Sequence, residues 1–289
     1  MKYRLILLDR LILNKKSEFY VRFWGVRGSI ACPDLGVSKY GGNTSCVEIR
    51  CANEVFIFDS GTGIRYLGNE LVKEENYNYR ILYSHTHYDH ICGLPFFSPA
   101  FNPKNKIEFL AGHLTPRNNI KNVLSSIMSD PVWPVGLDIF PSEIKFRDFE
   151  AGETLIFPGN ININTCPLNH ENGATGYRVN FNEKSICYIT DTTHLPGQPD
   201  KNIINLIKEA DIVIYDSMFT EEEFKDKPHW GHSTWEEGAK LCDLANVDRL
   251  CIFHHDPSHN DSFMDKIAID ADKKRPGTVV AREGLKLVP

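Results

Sequence analysis

Through the first third of the chain, apolar and polar positions change places in short runs bounded by Gly and Asn. Residues 19–24, 45–51 and 54–59 are β-prone stretches of this kind, which predicts three strands. The period then lengthens: Ile64, Leu67 and Leu71 recur at helical spacing, so residues 63–74 are predicted to form a helix with one apolar face. A further strand at 80–83 delivers the chain into Ser84-His85-Thr86-His87-Tyr88-Asp89-His90, placing this polar run on a loop at a strand end. The stretch 95–159 is irregular, with a predicted helix at 118–129, the turn Pro131-Val132-Trp133-Pro134 and a short strand at 144–146, and it suits a pocket wall. Strands follow at 161–165, 176–181, 185–190 and 212–215, then a helix at 234–244 and a last strand at 249–253. His170, Asp191, Asp216 and His254 stand where these strands stop. Two groups of strands with helices between them predict an α/β fold, two sheets face to face with helices outside. No repeat or linker divides the chain, so residues 19–289 are expected to form one domain behind an extension of 1–18, an extra strand or a loose arm.

Composition narrows the function classes. The 289 residues carry 32 Lys+Arg against 38 Asp+Glu, a formal net charge of −6, with 42% hydrophobic and 24% charged residues. That excludes disorder, collagen and coiled coil. Without a long basic run there is no general attraction to nucleic acid or to an acidic membrane, so an anionic substrate must be held locally. The longest apolar stretches, such as 55–58 and 212–215, are strand-sized, far below the ~20 residues of a membrane span. Asp9 and Arg10 interrupt the apolar opening, and no cleavage site follows. Eight cysteines without a C-x-x-C pair then point to a reduced, cytoplasmic protein.

The densest chemistry is His85, His87, Asp89 and His90. Imidazole nitrogen and carboxylate oxygen are ligands for Zn²⁺ and, with several carboxylates, for Mn²⁺ or Fe. In an extended stretch His85 and His87 share a face and can grip one ion, while Asp89 and His90 reach around the bend toward a second. The run HTHYDHICG, with downstream His170, Asp191 and His254, closely resembles the metallo-β-lactamase fold family of binuclear metallohydrolases. The resemblance implies an αββα sandwich of two mixed sheets with two divalent metals at one edge, zinc first and manganese or iron as alternatives. Carried over by position, it implies His85, His87 and His170 for the first metal, Asp89, His90 and His254 for the second, and Asp191 as a bridging carboxylate. His254 is preferred over the adjacent His255 because the frame Leu250-Cys251-Ile252-Phe253-His254 better resembles the family's strand-then-His ending. Two such ions lower the pKa of a bridging water to roughly 7 and polarise the scissile bond, so hydrolysis is expected.

Features outside the ligand set point to a branch. Gly231-His232-Ser233-Thr234 and Asp216-Ser217 resemble the phosphodiesterase branch, which contains transfer-RNA 3′-end nucleases and small cyclic-phosphodiester hydrolases. The resemblance implies His232 as general acid toward a leaving alkoxide and Asp216 as its orienter, a departure from the nuclease pattern, where a glutamate holds that place. Residues 23–30, 40–45 and 59–63 are similar to the small-substrate subgroup, and Arg27 and Asn43 are candidates for substrate contact. Trp133, with Phe96, Phe97 and Phe140, is a candidate for stacking a base, and His194 for touching substrate. No protruding Gly/Pro/Lys-rich arm or broad basic face is visible, which favours a small phosphodiester, a cyclic nucleotide or related cyclic phosphate, over long duplex nucleic acid. No membrane partner is expected, and a homodimer fits the resemblance. The rival readings are a single-strand RNA or DNA nuclease, a thioester or lactone hydrolase, and a non-catalytic metal-stabilised sensor.

Overall fold

The computed structural model describes residues 18–74 and 78–289, so the proposed N-terminal extension lies almost wholly outside the described residues. The first sheet contains β1 (Phe19–Gly25), β2 (Cys46–Cys51), β3 (Glu54–Phe58), β4 (Asn78–Tyr83), β5 (Lys106–Ala111), β6 (Glu143–Asp148) and, at its edge, β14 (Lys286–Leu287), in the order β14-β1-β2-β3-β4-β5-β6. The second contains β7 (Thr154–Phe157), β8 (Ile161–Leu168), β9 (Ala174–Phe181), β10 (Lys184–Ile189), β11 (Ile212–Asp216), β12 (Arg249–Phe253) and β13 (Val279–Val280), in the order β13-β12-β11-β10-β9-β8-β7.

Strand alternation builds three apolar layers. Phe56 and Phe58 of β3, Ile186 and Tyr188 of β10, and Ile212 and Ile214 of β11 meet between the sheets. Their neighbours Val55 and Ile57 turn outward beneath helices α1 (Ile64–Leu71) and α3 (Ile120–Ile127). On the other side Val213 and Tyr215 pack beneath α4 (Lys201–Ile207) and α6 (Trp235–Leu244). A strand buried on both faces is apolar along its length, which is why residues 212–215 read as a continuous run rather than an alternation, with the one acid, Asp216, at the strand's end.

The helices expected at 63–74, 118–129 and 234–244 are α1, α3 and α6, and Asn119 and Thr234 cap the latter two with their side chains. The strand at 249–253 is not the last element. Helix α7 (Asp261–Lys274) follows and buries only Met264, Ile267 and Ala271, a narrow stripe on a charged segment that gives a weak period. β5 was likewise not expected; its alternation is embedded among proline turns.

β3 to β6 run parallel to one another, as do β10 to β13. Strands that run parallel release their following loops on one edge, where open α/β folds gather their ligand-binding groups. None of the described helices is long and apolar enough to cross a membrane.

Candidate metal centre

Four strand ends and one hairpin converge on that edge. β4 leads into His85 and His87, and the short helix α2 (Tyr88–Ile91) carries Asp89 and His90. His170 follows β8, Asp191 follows β10, Asp216 ends β11 and His254 follows β12. Asp59, Asp191 and His254 adopt left-handed backbone, with φ of 62°, 55° and 63°. Asp and His tolerate this conformation better than branched residues, and three instances at one edge mark a place where the fold bends the chain to aim side chains inward.

The donors fall into two half-rings around Asp191. On one side, Asp191 Oδ1 lies 3.7 Å from His85 Nε2 and 3.9 Å from His170 Nε2, and His170 Nε2 lies 3.1 Å from His87 Nδ1. On the other, Asp191 Oδ2 lies 3.3 Å from His90 Nε2 and 3.4 Å from His254 Nε2, each of which also approaches Asp89 Oδ2, at 3.2 and 3.5 Å. His255 does not join them: its Nε2 is 2.8 Å from the Ala281 carbonyl.

Charge within the ring is strongly coupled. Burial works against ionising Asp191, but His254, His90, His85 and His232 together hold its carboxyl well below the usual range. Burial and then neighbouring His90 keep the His85 imidazole neutral, the form that offers a lone pair. His85 Nε2 is also buried without a hydrogen-bond partner among the described residues. Ring nitrogens facing ring nitrogens and one orphaned donor atom fit divalent cations, which supply the charge that such a buried cluster otherwise lacks.

A carboxylate not assigned a role from sequence supports the ring. Asp59, fully buried, places Oδ2 at 2.9 Å from His90 Nδ1 and accepts hydrogen bonds from Ser84 Oγ and the Tyr188 hydroxyl, each at 2.8 Å. A carboxylate on the far nitrogen of a ligating histidine fixes its tautomer and orientation. The available signal was an acid at the end of β3, directly after Phe58.

His232 borders the ring. Its Nδ1 lies 3.1 Å from Asp216 Oδ2 and 3.7 Å from Asp191 Oδ1. The aspartate is long enough because the backbone N–H groups of Thr192 and Met218 clamp it at this point. Burial lowers the proton affinity of His232, but Asp216 and then Asp191 outweigh it and raise its pKa to about 9. Gly231, at φ 87°, makes the approach possible: a Cβ there would lie 2.7 Å from His170 Cε1, and its carbonyl oxygen is 2.8 Å from His170 Nδ1.

The remaining candidates have other surroundings. His194 lies beside the ring's mouth, with Nδ1 2.8 Å from Ser233 Oγ and its ring stacked on Phe224. Arg27, a candidate for phosphate, is fully buried; its Nε and Nη1 donate to the carbonyls of Gly41, Asp256 and His259 and so join loops together, while its Nη2 has no partner among the described residues. Asn43 is occupied by Glu283 and Thr62. Trp133 packs edge-on against the half-exposed Phe96, while Phe97 and Phe140 are buried against Tyr79 and Phe101 in the outer apolar layer.

Residues 57–255 match the sequence model of the Beta-lactamase superfamily domain. Ribonuclease Z of Prochlorococcus marinus (strain MIT 9312) is 24% identical over 309 aligned positions, covering 86% of this chain and 95% of that protein. The metallo-β-lactamase fold protein YhfI from Bacillus subtilis superposes with a TM-score of 0.70 at 15% identity, covering 93% of this chain and 98% of its own. A diphosphatase from the PhnP family gives 0.68 at 20% identity, covering 94% and 98%. The shared feature is the expected sandwich of two mixed sheets flanked by helices.

Proposed function

The chain belongs to the β-lactamase superfamily, and on that premise we propose that it is a metal-dependent hydrolase of small phosphodiesters, with cyclic nucleotides or related cyclic phosphates as preferred substrates. His85, His87 and His170 would hold one divalent cation and Asp89, His90 and His254 a second, with one Asp191 oxygen toward each; zinc is the first choice, manganese or iron the alternatives. Such cations, when bound, lower the pKa of water and polarise a phosphoryl oxygen.

The rest of the chemistry belongs to the chain. Asp216 accepts the Nδ1 proton of His232, which leaves Nε2 as the nitrogen that gives a proton to a departing alkoxide. An alkoxide is a poor leaving group and needs that proton, whereas an acyl substrate with a good leaving group does not. The observation that carries the reading is therefore the His232–Asp216 pair set against Asp191 of the donor ring. All these groups come from one chain, so a homodimer would leave the site intact.

Metal analysis followed by hydrolysis of bis(p-nitrophenyl) phosphate and an acyl-ester control, with added Zn²⁺ or Mn²⁺, tests the proposal. About two metals per chain and phosphodiester-selective turnover are expected. Ester cleavage alone would replace it with the acyl-hydrolase reading, and full metal without turnover would replace it with the sensor reading. The similarity to ribonuclease Z over 86% of the chain favours single-strand nuclease activity as the second reading; competition between oligonucleotides and cyclic nucleotides separates the two.

A further inference from the structure

His170 stands between two open cavities. One, about 370 Å³, is walled by Thr193, His194, Leu195, Pro196, Pro228 and Gly231, the residue before His232. The other, about 470 Å³, is walled by His113, Thr115, Pro116, Arg117, Asn172 and Gly173. Their linings differ in kind. The first presents Leu195 and two prolines beside the exposed carboxylate of Glu171, which disfavours an anion; the second has a guanidinium and no carboxylate.

Arg117 is exposed and has neither an ion-pair nor a hydrogen-bond partner among the described residues. Arg27, Arg50, Arg80 and Arg178, by contrast, are each tied to carbonyls or acids. His113 contributes a buried Nδ1 without a partner, while its Nε2 lies 3.2 Å from Thr86 Oγ1. Asn172 connects the cavity to the ring, with Nδ2 3.4 Å from His87 Nε2, the nitrogen on the other side of that imidazole from the one facing His170. A planar guanidinium with its five donors free is matched to the oxygens of a phosphate.

We infer that the Arg117 cavity is an anion subsite that takes a second phosphate of the same substrate, while the scissile diester lies at the donor ring and an uncharged portion occupies the Leu195 side. This deepens and rests on the phosphodiester reading. It names the substrate class as a nucleotide carrying a phosphate group besides the bond that is cut.

Two chromogenic substrates differing by that one group decide it: thymidine 5′-(p-nitrophenyl phosphate) and its 3′-phosphorylated counterpart. For the unaltered protein, kcat/KM is expected to favour the phosphorylated substrate by roughly tenfold, through KM. Arg117→Ala should bring the ratio close to one, Arg117→Glu below one, and Arg117→Lys should keep part of it. Arg117 holds nothing else in place, so none of these variants should disturb folding. A ratio near one in the unaltered protein, or a ratio that Arg117→Ala leaves in place, overturns the subsite. Failure to cleave either substrate, or bis(p-nitrophenyl) phosphate, overturns the phosphodiester reading beneath it.

Discussion

Around Arg27, nitrogen meets oxygen: its guanidinium donates to three backbone carbonyls, His255 lies against the Ala281 carbonyl, and His259 pairs with Glu223. Around Asp191, nitrogen meets nitrogen: His254 Nε2 faces His90 Nε2 at 3.3 Å, and His170 Nε2 faces His87 Nδ1 at 3.1 Å. Both clusters are buried, polar and rich in histidine. Among the described residues, however, every group of three or more potential metal donors gathers at the Asp191 ring and none at Arg27. Both clusters keep buried nitrogens without a partner among the described residues, Arg27 Nη2, His255 Nδ1 and His259 Nδ1 in the first and His85 Nε2 in the second, so convergence tells them apart. At Arg27 the paired nitrogens sit on separate oxygens, whereas at Asp191 the donor atoms of each group lie within 4.8 Å of one another, the spacing a cation needs.

The largest expected effect falls on the bridging position. Asp191→Asn removes the charge presented to both half-rings, so metal content should fall and phosphodiester turnover should drop by about a thousandfold or more. Full metal occupancy with normal turnover would erase the distinction between the clusters.

Next comes the other cluster. Arg27→Ala strands three buried carbonyls and should cost about 3 kcal/mol of stability in denaturant unfolding, with metal bound normally by the protein that remains folded. Unchanged stability with a raised KM would instead return Arg27 to the substrate.

A smaller, more selective effect is expected at the border. His232→Ala should slow cleavage of a cyclic nucleotide, whose leaving group is an alkoxide, by about a hundredfold. The loss on bis(p-nitrophenyl) phosphate should be much smaller, because p-nitrophenolate departs without a proton, and metal content should not change. Asp216→Asn should show the same leaving-group pattern at about tenfold. Equal losses on both substrates would take His232 out of proton transfer.

Legibility in the sequence followed the same division. The run His85 to His90 stood out because so many donors in so few positions have no ordinary structural use, and its placement after a strand followed from the apolar period of β4. His170, Asp191, Asp216 and His254 could be located at strand ends, and the structure brings all four to one edge. Arg27, Asn43 and Trp133 have partners within the fold that the sequence could not show, because residue type states what a side chain can bind, not what lies against it. Asp59 shows the converse, a supporting acid whose partners His90, Ser84 and Tyr188 come from separate elements.

By itself, then, the sequence determined the layered α/β class, because burial on one or two faces writes its period directly into local residue order. It also determined the donor types and the loop that carries four of them, since those lie within a few bonds of one another. Only the tertiary structure decided which nitrogen of each imidazole faces the ring, that Asp191 divides its two oxygens between the half-rings, and that Arg27 is buried on backbone carbonyls while Arg117 is exposed without a partner among the described residues. Those outcomes depend on side chains far apart in the chain meeting at distances of 3 to 4 Å, and no local pattern encodes whether such a meeting satisfies a polar group or leaves it open.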